Sequence, residues 1–209
     1  MQSIIPIPEL IFMLDMMAAV AFAVSGALVA SRKGLDVVGF MWLAFITGVG
    51  GGTLRDLILG VPVFWIVDTA HIYACFATAV VMFFIAPMVE SRKRLVLWYD
   101  AIGLAFVTVV GTVKGLEAGT GPLIAVVMGV MTATVGGIIR DVVSGEPSVI
   151  MKREIYVTAA VAGGAVFVVV SSFQFPNTIA AISGFLTTFL VRGCTIIYNW
   201  SLPSHGKRW

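Results

Sequence analysis

Residues 51–62 of this sequence read GGTLRDLILGVP, and residues 136–147 read GGIIRDVVSGEP. Both stretches follow the pattern Gly-Gly-x-x-Arg-Asp-x-x-x-Gly-x-Pro, and the second begins 85 residues after the first (136 − 51). Chance does not account for so many Gly, Arg and Asp identities in an apolar background, so the chain is predicted to contain an internal duplication. The same displacement aligns further residues without a gap: Asp15 with Asp100, Gly26 with Gly111, Gly34 with Gly119 and Thr47 with Thr132.

The composition predicts a membrane protein. Of the 209 residues, 59% are hydrophobic and 11% are charged, whereas a soluble domain carries about 25% charged residues. A β-barrel would show stretches of ~10 residues with alternating polarity, but the apolar stretches here are about 20 residues long, the length of a spanning helix. The expected partner is therefore the lipid bilayer. The net charge of +2, without a long basic tail, gives no reason to expect nucleic acid.

Seven apolar segments are long enough to cross ~30 Å of hydrocarbon at about 1.5 Å per helical residue. Short breaks that contain Gly, Pro or charged residues separate them. We therefore predict an all-α, polytopic membrane protein with seven transmembrane helices. The predicted spans are Pro8–Ser31, Leu35–Leu59, Ala70–Val89, Leu95–Val113, Pro122–Val143, Ile155–Phe173 and Thr178–Trp200.

The duplication divides these spans into two units of three. Repeat one covers residues 8–89, repeat two covers 95–173, and a seventh helix over 178–200 follows. Because three is odd, the second unit enters the membrane from the opposite side, so the repeats are predicted to be inverted about a pseudo-two-fold axis in the membrane plane. Inverted repeats often place an ion or substrate path at their interface.

The basic residues predict the orientation. With seven spans, the first, third and fifth loops share one side of the membrane with the C-terminus. By the positive-inside rule, the C-terminus is expected in the cytoplasm and the N-terminus outside. Nine of the thirteen Lys and Arg residues lie on that side: Arg32, Lys33, Arg92, Lys93, Arg94, Lys152, Arg153, Lys207 and Arg208.

Glycines cluster in the second and fifth spans, at Gly50–Gly52 and Gly136–Gly137. Glycine costs a helix about 1 kcal/mol relative to alanine, so these runs are predicted to kink or unwind both helices. Unwound backbone at membrane depth is tolerated where it lines a cavity, and its carbonyls can replace the water shell of a cation. The alternative is that the glycines only allow close helix packing. Four hydroxyls near the glycines are candidate pore groups: Thr47, Thr53, Thr132 and Thr134.

Charged residues inside the apolar segments are the other candidate site. Such residues are expensive in a membrane and usually face a wet interior. Two interpretations stay open and are compatible: gates at the two mouths of one pathway, or structural clamps. Lys114 ends the fourth span, and Val29 occupies its place in repeat one. Arg192 either snorkels or meets a headgroup. The candidate gating or charged-pair residues are Arg55, Asp56, Arg140, Asp141, Asp15, Asp100 and Lys114.

The sequence shows no pattern typical of an enzyme. It has no nucleophile beside a base, no phosphate-binding glycine loop and no metal-ligand cluster, so we expect neither catalysis nor a bound cofactor. Cys75 and Cys194 both lie in apolar stretches and are interpreted as small hydrophobic residues rather than a disulfide.

The two Gly-Gly-x-x-Arg-Asp stretches, together with Pro62-Val63-Phe64-Trp65, resemble the bacterial relatives of the trimeric intracellular cation channels, the TRIC family. These relatives are also grouped as a glycine-transporter-like family of two tandem three-helix domains. The resemblance covers nearly the whole chain. It implies a bacterial inner-membrane homotrimer with one pore in each protomer, lined by the kinked second and fifth helices. It also implies passive flow of monovalent cations, mainly K⁺, with Na⁺ as a further permeant ion.

Three classes of function follow. The first is a cation channel, for which Arg55 and Arg140 are awkward unless they act as plugs that move when the pore opens. The second is a transporter of glycine or similar amino acids, because inverted repeats with broken helices are common in transporters and an arginine can hold a carboxylate. The third is a membrane scaffold, which has no need of buried charges. Unsaturated K⁺ flux favours the first class, and saturable uptake favours the second.

Overall fold

The computed structural model describes residues 7–88, 92–148, 155–173 and 175–201, and these residues are almost entirely helical. The fold confirms the predicted all-α membrane architecture. The helices are α1 (Ile7–Lys33), α2 (Val37–Leu59), α3 (Phe64–Val67), α4 (Ala70–Ile85, continued by a 3-10 turn over Ala86–Met88), α5 (Arg92–Glu117), α6 (Pro122–Val143), α7 (Val157–Ser172) and α8 (Asn177–Tyr198).

The seven longer helices correspond to the predicted spans. In the described residues, six are long and apolar enough to cross a membrane, and α7 is a shorter apolar helix. The prediction differs most at α5, which begins before Leu95 and continues past Val113 to Glu117. Arg and Lys are good helix formers, so the helix continues through both charged ends. The one-turn helix α3 was not predicted.

Glycines end the second and fifth spans in the same way. Gly60 follows α2 with φ +67°, and Gly145 follows α6 with φ +65°. This left-handed conformation closes a helix and is strained for residues that have a Cβ atom. The duplicated Gly-x-Pro of the sequence pattern is therefore a helix stop in both repeats.

Equivalent glycines make equivalent contacts in the two repeats. A Cβ atom on Gly26 of α1 would lie 2.6 Å from the Leu43 carbonyl oxygen and 2.8 Å from Thr47 Oγ1. The corresponding atom on Gly111 of α5 would lie 2.8 Å from the Met128 carbonyl oxygen and 2.7 Å from Thr132 Oγ1. All three pairs of residues are separated by 85 positions, so α1 packs on α2 as α5 packs on α6.

The helices α2 and α6 cross where the two repeats meet. A Cβ atom on Gly51 would clash with the Thr132 carbonyl oxygen, and one on Gly136 would lie 2.6 Å from the Thr47 carbonyl oxygen. Each glycine thus faces the backbone of the other repeat at the equivalent position. Reciprocal contacts of this kind are what a two-fold relation between the repeats requires.

The glycine-rich runs do not unwind. The helix α2 is continuous through Gly50–Gly52, and α6 is continuous through Gly136–Gly137. The prediction of an unwound segment is therefore wrong, because backbone groups in hydrocarbon have no water to replace their helical hydrogen bonds. Close packing of small residues, the alternative weighed from the sequence, is what Gly51 and Gly136 provide. A bend within either continuous helix stays a prediction.

The predicted sidedness is supported by ion pairs between the first and fifth loops. Arg32 at the end of α1 donates from Nη2 to Glu146 Oε1 at 2.5 Å, and Glu146 follows α6. The first and fifth loops therefore lie on the same side of the molecule. Four of the basic residues used for the orientation lie outside the described residues: Lys152, Arg153, Lys207 and Arg208.

Candidate functional site

The first cluster of buried charges surrounds Arg55 near the end of α2. Its guanidinium donates from Nε to Asp56 Oδ1 at 2.7 Å and from Nη1 to Asp15 Oδ1 of α1 at 3.3 Å. Arg55 is 1% exposed and Asp56 is fully buried. Asp56 also accepts a hydrogen bond at Oδ2 from the backbone N–H of Phe64, at 2.9 Å. Arg55 therefore pairs both with its neighbour in the sequence and with an aspartate of α1.

Lys114 of α5 adds a second cation to this group. Its Nζ lies 3.5 Å from Asp15 Oδ2 and 3.4 Å from Asp56 Oδ1. The group then contains two cations and two carboxylates and is formally neutral. We call these four residues, Arg55, Asp56, Asp15 and Lys114, the Arg55 cluster.

The second cluster surrounds Arg140 near the end of α6. Arg140 donates from Nε and Nη2 to Asp141 Oδ1, at 2.9 and 2.7 Å, and forms a short ion pair through Nη1 with Asp100 of α5. Arg140 and Asp100 are each 1% exposed. The frame of one arginine and two aspartates is therefore repeated at an 85-residue displacement.

Neutral side chains complete the second group. Ser25 of α1 donates to Asp100 Oδ1 at 2.8 Å and accepts from Arg140 Nη1. The Tyr156 hydroxyl donates to Asp100 Oδ2 at 3.4 Å. We call Arg140, Asp141, Asp100, Ser25 and Tyr156 the Arg140 cluster.

Arg192 of α8 lies against the Arg140 cluster. Its guanidinium carbon is 5.1 Å from the centre of the Tyr156 ring, within the range of a cation–π contact. The side chain is 1% exposed. The expectation that Arg192 snorkels or meets a headgroup is therefore wrong, because an aromatic face is available to it inside the bundle.

Each arginine pairs with aspartates of its own repeat, and each cluster takes one residue from the other repeat. Repeat two supplies Lys114 to the Arg55 cluster, and repeat one supplies Ser25 to the Arg140 cluster. Neither residue has a polar equivalent, because Val29 corresponds to Lys114 and Val110 to Ser25. The two contributions make the clusters chemically different.

The predicted pore hydroxyls are held by their own helices. Each donates to the carbonyl four residues earlier: Thr47 to Leu43 at 2.5 Å, Thr53 to Val49 at 2.7 Å, Thr132 to Met128 at 2.6 Å and Thr134 to Val130 at 3.0 Å. Thr53 also accepts from Trp65 Nε1 at 2.8 Å. Thr47 and Thr132 are buried at the interface of the repeats. Their role as pore groups stays a prediction.

A cavity of about 490 Å³ borders the Arg55 cluster. Its lining combines apolar residues of α1 and α3 with Asp15, Lys114, Asp68 and His71. His71 is buried, and its Nδ1 lies 3.2 Å from the Asp68 carbonyl oxygen. Within the described ranges, no group of three His, Cys, Asp or Glu side chains is placed to hold a metal ion.

Comparison with known proteins agrees with the duplicated geometry. The model of a family described as "Glycine transporter" matches twice, at residues 12–87 and 97–172, again displaced by 85 residues. A UPF0126 membrane protein of Vibrio cholerae is 39% identical over 94% of this chain and 83% of its own length. The UPF0126 inner membrane protein YadS of Escherichia coli K12 is 38% identical over 93% of this chain and 96% of its own length.

Solved structures show the same fold. The TRIC trimeric intracellular cation channel orthologue from Rhodobacter sphaeroides superposes with a TM-score of 0.88 at 48% identity, over 91% of this chain and 98% of that one. The chain belongs to the TRIC family. A prokaryotic TRIC channel crystallised in 0.5 M KCl superposes with a TM-score of 0.87 at 27% identity, over 94% of this chain and all of that one.

Sequence reasoning missed several residues of this TRIC chain that complete the clusters. Ser25 and Tyr156 carry no charge, and Phe64 contributes a backbone N–H and a ring. One signal was available, because the 85-residue displacement aligns His71 with Tyr156. Both are polar aromatic residues, and each contacts or lies beside the cluster of its own repeat.

Proposed function

We propose that this TRIC protein is a passive channel for monovalent cations, mainly K⁺, and that it acts in the bacterial inner membrane as a homotrimer with a pore in each protomer. The observation that carries the proposal is the pair of buried arginine–aspartate clusters, one in each repeat, on helices that cross at the repeat interface. Similarity to a trimeric intracellular cation channel at 48% identity supports the assembly and the ion class.

The pore is proposed to follow α2 and α6. Charges inside a membrane are costly, and they persist where they pair with each other and serve a pathway. In the present conformation Arg55 and Arg140 neutralise the carboxylates that would attract a cation. We therefore infer that this conformation is closed, and that conduction requires each arginine to move off its aspartates.

The cytoplasmic side is proposed to hold the Arg140 cluster and the C-terminus. The basic loops predict this orientation, and the Arg32–Glu146 ion pair agrees with loops one and five sharing a side. The Arg55 cluster and the cavity beside it would then face the extracytoplasmic side, together with the N-terminus.

A transporter of glycine or similar amino acids is the second candidate, and the description of the matching family favours it. A carrier of this kind would hold the substrate carboxylate at the N-termini of broken helices. Since α2 and α6 are continuous, those half-helix N-termini are not formed. This difference supports the channel over the carrier.

The test is flux from purified protein in liposomes, first with K⁺ gradients and then with labelled glycine. The channel predicts K⁺ flux that rises with the driving force without saturating. Asp56→Asn should lower that flux several-fold, because two cations would then face one carboxylate at the pore mouth. Asp36→Asn is the control, since Asp36 is an exposed helix cap outside both clusters.

Saturable glycine exchange without K⁺ flux would overturn the channel and favour the carrier. Equal K⁺ flux through wild type and Asp56→Asn would remove the Arg55 cluster from the path.

A further inference from the structure

The ring of Phe64 lines the cavity and lies against the Arg55 cluster. Phe64 is the first residue of α3, and its backbone N–H is bonded to Asp56. The ring centre lies 5.6 Å from the Arg55 guanidinium carbon and 5.5 Å from Lys114 Nζ. It is also 4.8 Å from the centre of the His71 ring, edge to face. One apolar side chain therefore contacts two cations and an imidazole.

The ring fits against a glycine of α2. A Cβ atom on Gly52 would lie 2.6 Å from Cε1 of Phe64 and 3.2 Å from its Cζ. No larger residue at position 52 leaves the ring where it is. The absence of a side chain at Gly52 thus leaves the space that the Phe64 ring occupies.

Two buried polar atoms beside this ring lack partners. Among the described residues, neither Arg55 Nη2 nor His71 Nε2 has a hydrogen-bond partner. Both side chains are nearly inaccessible, at 1% and 2% exposure, and both contact Phe64. A buried polar atom without a partner is unfavourable, and water is the partner that most readily satisfies it. Both atoms would gain that partner if water entered behind the ring.

We propose that Phe64, seated against Gly52, is a water-excluding valve at the cavity-side mouth of the pathway, and that displacing its ring hydrates Arg55 and His71 and admits ions. The proposal has a water step, in which water enters behind the ring, and an ion step, in which ions follow. The water step rests on geometry alone, and the ion step rests on the channel function proposed above. Apolar constrictions gate pores by dewetting, and a phenyl ring is an apolar group of the type that such a constriction requires. Once the ring is displaced, the unsatisfied atoms behind it favour the entry of water at this mouth.

Among the described residues of the other repeat, no ring edge lies against the equivalent glycine. Gly137, the equivalent of Gly52, faces the Tyr156 hydroxyl at 3.3 Å and Asp100 Oδ2 at 3.4 Å, measured from its ideal Cβ position. These are polar groups of the Arg140 cluster rather than a ring edge. In the sequence, Val149 corresponds to Phe64. The valve is therefore expected at one mouth only.

Two variants disrupt the contact between Gly52 and Phe64, one at each residue. Gly52→Ala places a methyl group where the ring lies and should push it out, and Phe64→Ala removes the ring. Each should raise K⁺ flux at least threefold. In the double variant, Gly52→Ala should add nothing to the effect of Phe64→Ala, because there is no ring to displace. The proposal would be overturned if Gly52→Ala raised the K⁺ flux by the same factor in the wild-type and the Phe64→Ala backgrounds.

A second measurement does not depend on ion flux. Cys75 lies one helical turn after His71 and is fully buried. In a Cys194→Ser background, a small charged thiosulfonate reagent should modify Cys75 slowly in the parent. It should react at least threefold faster with Gly52→Ala and with Phe64→Ala. Gly137→Ala is the matched control and should leave Cys75 reactivity at the parent level.

The two measurements separate the two proposals. Faster Cys75 modification with no K⁺ flux in any variant would overturn the channel and the ion step of the valve, and it would support the water step. Unchanged Cys75 modification in both Gly52→Ala and Phe64→Ala would overturn the valve, whatever the flux.

Discussion

The Arg55 cluster and the Arg140 cluster share a frame and differ in what completes it. In both, an arginine binds the next aspartate along its helix and an aspartate from the first helix of its repeat. The Arg55 cluster then takes a lysine, which is 17% exposed beside a cavity. The Arg140 cluster takes a serine and a tyrosine, and α8 lies against it.

This difference teaches how duplicated units can acquire distinct ends. Duplication copies the residues that pair within a repeat, so both ends inherit the arginine and its aspartates. The residues donated across the repeat interface are free to diverge, as Lys114 and Ser25 have done. One end therefore includes a second cation in its cluster and borders a cavity, whereas the other is enclosed by polar and aromatic side chains.

The largest expected effect separates the two arginines. Arg140→Met should cost about 3–5 kcal/mol of stability, because it removes the cation that pairs with the buried carboxylate of Asp100. Among the described partners of Asp100, Arg140 is the one that carries a charge. Arg55→Met should cost less than half as much, since Lys114 still pairs with Asp15 and Asp56. The measurement is the thermal unfolding midpoint of each purified variant in detergent.

Lys114→Met sharpens this comparison. In that background, Arg55→Met should become as damaging as Arg140→Met, with a coupling of about 1–3 kcal/mol between Arg55 and Lys114. Additive effects of the two substitutions would contradict the interpretation that Lys114 compensates for the loss of Arg55.

An intermediate effect tests whether the repeats are equivalent where they cross. Gly51→Ala and Gly136→Ala should each cost about 1–3 kcal/mol, because the added methyl group meets a backbone carbonyl that cannot move aside. Gly50→Ala is the control, since its methyl group meets only the flexible end of Ile139. Thermal unfolding in detergent again provides the measurement. A tolerated Gly51→Ala would contradict the close crossing of α2 and α6.

The smallest expected effect concerns Ser25, the residue of repeat one that contacts the Arg140 cluster of repeat two. Ser25→Ala should cost about 1 kcal/mol, because it removes a hydroxyl that bonds both Asp100 and Arg140 but leaves their ion pair. The change in unfolding midpoint should be clearly smaller than for Arg140→Met. An equal loss would mean that Ser25, rather than the ion pair, organises the Arg140 cluster.

Most of the fold could be predicted because it depends on local patterns. Apolar length specifies the spans, and the predicted fifth span coincides with α6, Pro122–Val143. Proline at its first position and Gly145 after its end are both visible in the sequence. The ends of α5 could not be placed from apolar length alone, because its charged residues belong to the helix.

The candidate site was predicted in its charges but not in its contacts. All seven charged candidates lie in one or the other cluster, because charge in an apolar run is conspicuous. Of the predicted kink or unwinding at the glycines, the unwinding was wrong, because helix propensity alone does not include the close packing that glycine permits. The proposed gating and pore roles of all these residues stay predictions.

The sequence by itself determined the membrane class, the seven spans, the duplication and the identity of the buried charges, because each is a property of composition or of spacing along the chain. Only the tertiary structure decided which charges pair, that Lys114 and Ser25 cross between repeats, and that Phe64 seats against Gly52. The contacts of Lys114 and Ser25 and the contact between Phe64 and Gly52 join residues between 12 and 115 positions apart in the sequence (64 − 52; 140 − 25). Their distances depend on how helices pack, and packing is a property of several segments at once.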